Sequence, residues 1–88
     1  MTGGQTYIVT DGCLSLCEVI RETPEGVLVN VYEDESRRYY VRRHGLFLFD
    51  GTSCVVKSLS WLLPTFIAMN IYNAIEFAYG KIRIHHRS

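Results

Sequence analysis

Apolar and polar residues alternate with a period of two over most of the first fifty positions, and turn residues interrupt the alternation at short intervals. Asp11-Gly12 is a tight-hairpin dipeptide. Thr23-Pro24-Glu25-Gly26 places Pro second and Gly fourth, as a type I turn prefers. The polar run Glu33-Asp34-Glu35-Ser36, then His44-Gly45 and Asp50-Gly51, break the pattern again. Turns spaced this closely predict short antiparallel strands in a meander.

The intervals between turns read as strands over 5–10, 14–22, 27–32, 37–43 and 45–50, with a short further one at 53–57. In the second, Leu14, Leu16, Glu18 and Ile20 share one face, and Ser15, Cys17, Val19 and Arg21 the other. In the fourth, Arg37, Tyr39, Val41 and Arg43 oppose Arg38, Tyr40 and Arg42. Leu46-Phe47-Leu48-Phe49 is apolar on both faces, which points to a curled sheet or small barrel rather than a flat one.

The period then changes. Pro64 suits a helix first turn, and Phe66, Ile67, Met69, Ile71, Ala74, Ile75, Phe77 and Ala78 recur at helical spacing. The helix is expected over 64–79, with 59–63 as a possible extra turn and Gly80 as its stop. Asn70, Asn73 and Glu76 step by three and mark its wet side. The alternation Lys-Ile-Arg-Ile-His at 81–85 reads as a short last strand at a sheet edge.

The fold expected is thus a single α+β domain over 1–88. It is a bent antiparallel meander or partial small barrel of five to six strands, with one apolar C-terminal helix packed on it and a short last strand. Its expected core is Ile8, Leu16, Val19, Ile20, Leu28, Val29, Val31, Val41, Leu46, Leu48, Val55, Leu62, Phe66, Met69, Ile75 and Phe77. Residues 58–75 carry no charge, a length near the lower limit for a membrane-spanning helix. Ser58, Ser60, Pro64, Thr65, Asn70 and Asn73 are costly in lipid, so a buried helix and no membrane are expected.

Composition adds little until charge is divided along the chain. Acids and bases balance at nine each. Up to residue 35 there are seven acids and one base, Arg21; beyond it there are eight bases and two acids, Asp50 and Glu76. One half is therefore minus six and the other plus six. The simplest consequence is cross-strand pairing of acids in 27–35 with arginines in 37–43.

A sharper consequence is a partner site. Arg37, Arg38, Tyr39, Tyr40, Arg42 and Arg43 put four arginines and two tyrosines on one strand. Arginine grips carboxylates and phosphates in a fork, and tyrosine stacks on flat groups. Glu33, Asp34 and Glu35 form the acidic counterpart, and with Glu18, Glu22 and Glu25 they could mimic phosphates. Arg83, His85, His86 and Arg87 would extend the basic surface.

Chemistry for catalysis is not visible. Cys13 and Cys17 lack the second ligand pair of a zinc site, and no Cys-x-x-Cys, phosphate loop, dinucleotide glycine pattern or nucleophile elbow is present. Three cysteines and a start, Met-Thr-Gly-Gly-Gln-Thr, without a basic or apolar region suggest a cytoplasmic chain with reduced thiols.

The function expected is a small non-enzymatic binding or inhibitory module, without cofactor or metal, that occupies a surface on a larger protein. A viral or mobile-element inhibitor acting in the host cytoplasm is one such protein. The alternatives are nucleic-acid binding through the Arg/Tyr strand, and a structural subunit that self-associates, for instance as a homodimer, through Trp61, Tyr72 and Tyr79.

Overall fold

The computed structural model describes residues 5–34 and 36–87, with side chains through residue 80. Six strands come first: β1 (Thr6–Thr10), β2 (Cys13–Thr23), β3 (Gly26–Val31), β4 (Arg38–His44), β5 (Phe47–Asp50) and β6 (Ser53–Val56). A 3-10 turn (Leu59–Trp61) leads into the helix α1 (Leu62–Arg87). Each strand pairs antiparallel with the next, and β6 returns to β1 with Tyr7 opposite Val56 and Val9 opposite Cys54. The meander is therefore a closed barrel.

The turns form where their chemistry demands. Asp11 and Gly12 both take positive φ, 53° and 78°, as a two-residue turn between β1 and β2 requires. Thr23 Oγ1 accepts from the backbone N–H of Glu25 and of Gly26, closing the β2–β3 turn. Ser58 caps the 3-10 turn by accepting from Ser60 N–H.

The interior is filled by Ile8, Cys17, Val27, Val29, Val31, Val41, Leu48 and Val55. All but Leu48 are small or β-branched side chains, which suit so narrow a barrel. A second cluster lies outside the wall. Val9, Phe49 and Cys54 meet Met69, with Leu62, Phe66 and Tyr72 packed beside it. The helix therefore covers the outer face of β1, β5 and β6, which explains why β5 is apolar on both sides.

Residue parity changes inside β2. Pairing with β3 shifts between Val19 and Arg21, so Ile20 is a bulge. Before it, Cys17 and Val19 face the interior. After it, Glu22 takes the interior side, opposite the fully buried Val27. The strict alternation read from the sequence fails at this point, and Ile20 is exposed rather than in the core.

Other expectations also need correction. No last strand forms at 81–85: α1 runs through Gly80 to Arg87. The closed barrel offers no free edge for another strand, and an isolated glycine is tolerated in a helix at a cost of about 1 kcal/mol. Leu46 lies in the β4–β5 turn, and Ile75 and Phe77 lie on α1 beyond its contact with the barrel; all three are exposed. Asn73 and Glu76 continue the barrel-facing line of α1 rather than its far side, because a helix turns 100° per residue. No helix among the described residues is long and apolar enough to cross a membrane.

Candidate functional site

Val41 is buried in the barrel and Tyr39 packs against the interior cluster. Side chains alternate across a strand, so Arg38, Tyr40, Arg42 and His44 point outward from β4. Arg38, Tyr40 and Arg42 are all exposed. From Arg38 to Arg42 the row spans about 13 Å, at roughly 3.3 Å per residue.

The neighbouring strands widen this row into a patch. Arg38 stands opposite Asn30, which stands opposite Glu18. Tyr40 stands opposite Leu28, which stands opposite Arg21. Arg42 stands opposite Gly26. A Cβ at Gly26 would lie 2.6 Å from Tyr40 Oη and 2.6 Å from the Val41 carbonyl oxygen, so the missing side chain is what seats the Tyr40 ring against the wall. A groove of about 540 Å³ runs beside it, lined by Pro24, Glu25, Tyr40, Arg42 and Arg43.

At its far end the row meets the helix. The His44 ring stacks on Phe49 at 4.5 Å and lies 4.2 Å from Tyr72. Glu76 beside Tyr72 holds its phenol above the usual range, and Arg42 acts in the opposite sense.

The other sequence-derived residues are dispersed. Arg43 faces the barrel rim, where its Nη2 donates to Glu22 Oε2 at 2.7 Å, and Lys57 Nζ donates to Glu22 Oε1 at 2.8 Å. These two cations hold the Glu22 carboxyl below its ordinary value, Lys57 contributing most. Arg37 Nε donates to Tyr39 Oη at 3.0 Å. Glu33 and Asp34 are exposed in the β3–β4 turn. Asp34 Oδ1 accepts from Ser36 Oγ at 2.6 Å, which lowers that carboxyl. Glu35 lies outside the described residues, as do the side chains of Arg83, His85, His86 and Arg87.

Of the pairing expected between acids of 27–35 and arginines of 37–43, Asp34 and Arg37 attract each other across the β3–β4 turn, whereas Arg43 turns to an acid of another strand. The two ion pairs found both belong to Glu22, on β2. Arg38 and Arg42 have no ion-pair partner among the described residues. The meeting of Glu22 with Lys57 and the seating of Tyr40 on Gly26 escaped the sequence reading. Glu22 and Lys57 meet only because the bulge turns Glu22 inward, and Gly26 reads as a turn residue until Tyr40 is seen over it.

The cysteines are split. Cys17 and Cys54 are buried and Cys13 is exposed. Burial pushes the Cys17 thiol up to about 11 and raises Cys54 as well, so both pack as small hydrophobes. Among the described residues no three His, Cys, Asp or Glu side chains gather as a metal site needs.

The exposed Arg38-Tyr40-Arg42 row, with Tyr40 seated on Gly26 and Arg21 and Glu18 beside it, is thus a continuous polar patch on the outer wall of the barrel. No protein family, no curated protein and no solved structure matches this chain.

Proposed function

We propose that this chain is a small non-catalytic binding module that grips a larger protein through the outer row of β4. One observation carries the reading: Arg38, Tyr40 and Arg42 stand in line, exposed and without an acidic partner among the described residues, whereas Arg43 one position on is held by Glu22. Arginine and tyrosine are the side chains that most often anchor protein interfaces. Charge guides the choice of partner. Glu18 shares the outer face, and Glu33 and Asp34 flank its Arg38 end. Such mixed charge suits a protein surface with a carboxylate cluster beside an apolar spot for Tyr40 and Leu28. Occupying that surface is the module's mode of action, and where the surface serves the partner's own activity the result is inhibition.

The test compares the tagged chain with the double variant Arg38→Glu, Arg42→Glu as bait in one extract, washed at moderate salt. The reading expects a defined protein held stoichiometrically by the first and lost from the second, with Tyr40→Ala intermediate. Equal capture by all three baits overturns it.

A second reading rests on the same alternation of cation and aromatic, which also suits single-stranded nucleic acid. It expects an oligonucleotide affinity that falls steeply between 50 and 200 mM salt, on the order of tenfold or more, and that vanishes in the double variant.

A further inference from the structure

The side of α1 that faces away from the barrel is apolar over most of its described length. Leu62, Phe66, Met69 and Tyr72 meet the barrel. At 100° per residue, Leu63, Ile67, Ile71, Ala74, Ile75 and Ala78 fall on the opposite side. All six are exposed. Ile67, Ile71, Ala74 and Ala78 step by four, three and four, the spacing of a helix–helix seam.

The stripe has a polarity of its own. Its first half is large, Leu63, Ile67 and Ile71, and its second half contains the small residues Ala74 and Ala78. Turn a second copy antiparallel about a point between residues 70 and 71. Leu63 then meets Ala78 of the second copy and Ile67 meets its Ala74, large on small, while the two Ile71 side chains come together at the axis. A twofold axis needs this self-complementarity, because the same patch must serve both sides. The partner's Ala74–Ala78 turn would enter the apolar groove of about 390 Å³ that Phe47, Leu63, Pro64, Ile67, Ala68 and Ile71 line. The two barrels, each on the far side of its own helix, would not collide.

We propose that α1 pairs antiparallel with α1 of a second copy of this chain through this stripe. The inference stands independently of the β4 row. It adds a consequence to it, since a dimer carries two such rows and can bind a repeated partner with avidity.

Charge and area agree with a second copy as the occupant. Between residues 58 and 80 the only charged residue is Glu76, and the whole chain is neutral, so two copies do not repel. A helix that lies on an anionic membrane carries Lys and Arg along its polar face; on α1 the cations Lys81, Arg83 and Arg87 come only after the apolar stripe has ended, and none flanks it. A fully exposed aliphatic side chain presents about 100 Å² of apolar surface. Leu63 is 67% exposed, Ile67 50%, Ile71 57% and Ile75 62%. With the alanines and Phe47 this gives about 400 Å² of apolar area per copy. At the apolar share usual for homodimers, the whole interface is about 1,200 Å², the lower limit for specific association. The dimer should therefore be weak, with a Kd on the order of 10 μM.

Sedimentation equilibrium of the full chain from about 1 to 300 μM, a range chosen to bracket that Kd, is the test. The expected result is a monomer–dimer equilibrium. Ala74→Glu and Ile67→Lys should each weaken it at least about tenfold, because each buries a charge in the seam. An equimolar mixture of the two variants should recover much of the association, since the antiparallel register brings one introduced acid against one introduced base. Near-UV circular dichroism checks that the barrel is intact in both. A monomer throughout the range overturns the proposal, as does a dimer indifferent to both substitutions. A monomer that co-sediments with phosphatidylcholine–phosphatidylglycerol vesicles overturns it too, and assigns the stripe to lipid. Loss of association in the variants without recovery on mixing overturns the antiparallel register.

Discussion

The barrel and the helix α1 are both rich in apolar side chains, yet they dispose of them in opposite ways. Every strand of the barrel has a paired neighbour on each side, and Ile8, Val27, Val29, Val31 and Val41 are almost wholly hidden inside. On α1 only the early turns find cover, from Val9, Phe49 and Cys54. Every side chain from Asn73 to Tyr79 is exposed, Ile75 among them. Hydrophobicity counted along a chain therefore does not say where the burial happens. The barrel satisfies itself, and the helix presents a surface.

That contrast breaks most sharply in the barrel interior. Ile8 is fully buried among the interior side chains. Truncation by Ile8→Ala should cost about 2–5 kcal/mol, because the closed wall cannot collapse onto the space. Against a total stability of about 5–15 kcal/mol for a small domain, urea denaturation should show a large drop in midpoint. A loss below about 1 kcal/mol would mean that the interior is loosely packed.

Gly26 and Gly80 sharpen it, since one substitution has opposite signs in the two regions. In the barrel, Gly26→Ala drives a methyl to within 2.6 Å of Tyr40 Oη and of the Val41 carbonyl oxygen. The ring can swing away, but the carbonyl is backbone, so β3 or β4 must shift, at about 1–3 kcal/mol. The same change should move Tyr40 and so weaken partner capture through β4. On the helix, a Cβ at Gly80 meets nothing within 4 Å. Gly80→Ala should stabilise the helix locally by about 0.5–1 kcal/mol. The gain should appear as more ellipticity at 222 nm and slower amide exchange late in α1, with the barrel's unfolding midpoint unchanged. A rise in that midpoint would show that the end of the helix is coupled to the barrel.

How much of this the sequence discloses follows the same division. Asp11-Gly12, the Thr23–Gly26 turn, the polar run at 33–36, His44-Gly45 and Asp50-Gly51 are local signals that place five hairpins, and the alternation of β4 places the outward row Arg38, Tyr40 and Arg42. The apolar run of β5 on both faces announces a curled sheet or small barrel, and its outer face is the one α1 covers. The bulge at Ile20 is not local: it is set by how β2 must bend to close the barrel, and it alone decides that Glu22 rather than Arg21 turns inward. The end of α1 is ambiguous for a similar reason. Lys-Ile-Arg-Ile-His fits either period, and only a barrel without a free edge settles it as helix. Asn70, Asn73 and Glu76 are wet, as their polarity suggests, but being wet does not place them opposite the barrel. The wall ends before Asn73 and Glu76, so those two lie on the barrel's side of α1 and are still wet.

The smallest effect, and the one that isolates the bulge, is the pH dependence of the Glu22 cluster. Lys57 and Arg43 hold the Glu22 carboxyl below its ordinary value of 4.5 in the folded chain. A carboxyl lowered on folding adds stability that is complete above its unfolded pKa and is lost as pH falls through the lower folded one. Glu22 is partly exposed, so the whole contribution should stay below about 1 kcal/mol and shrink with added salt. Glu22→Gln keeps the shape and removes the charge. At neutral pH it should lower the Tm by a few degrees at most, roughly 4–8 °C per kcal/mol for a domain of this size. The gap to the parent chain should close as pH falls below 4.5 toward 3. Asp34, also lowered, remains in both proteins and cancels in the comparison. A gap that persists at low pH would show that Glu22 acts at the rim through packing rather than charge. The corresponding change at Arg21, on the outward side of the bulge, should leave the pH profile as it is.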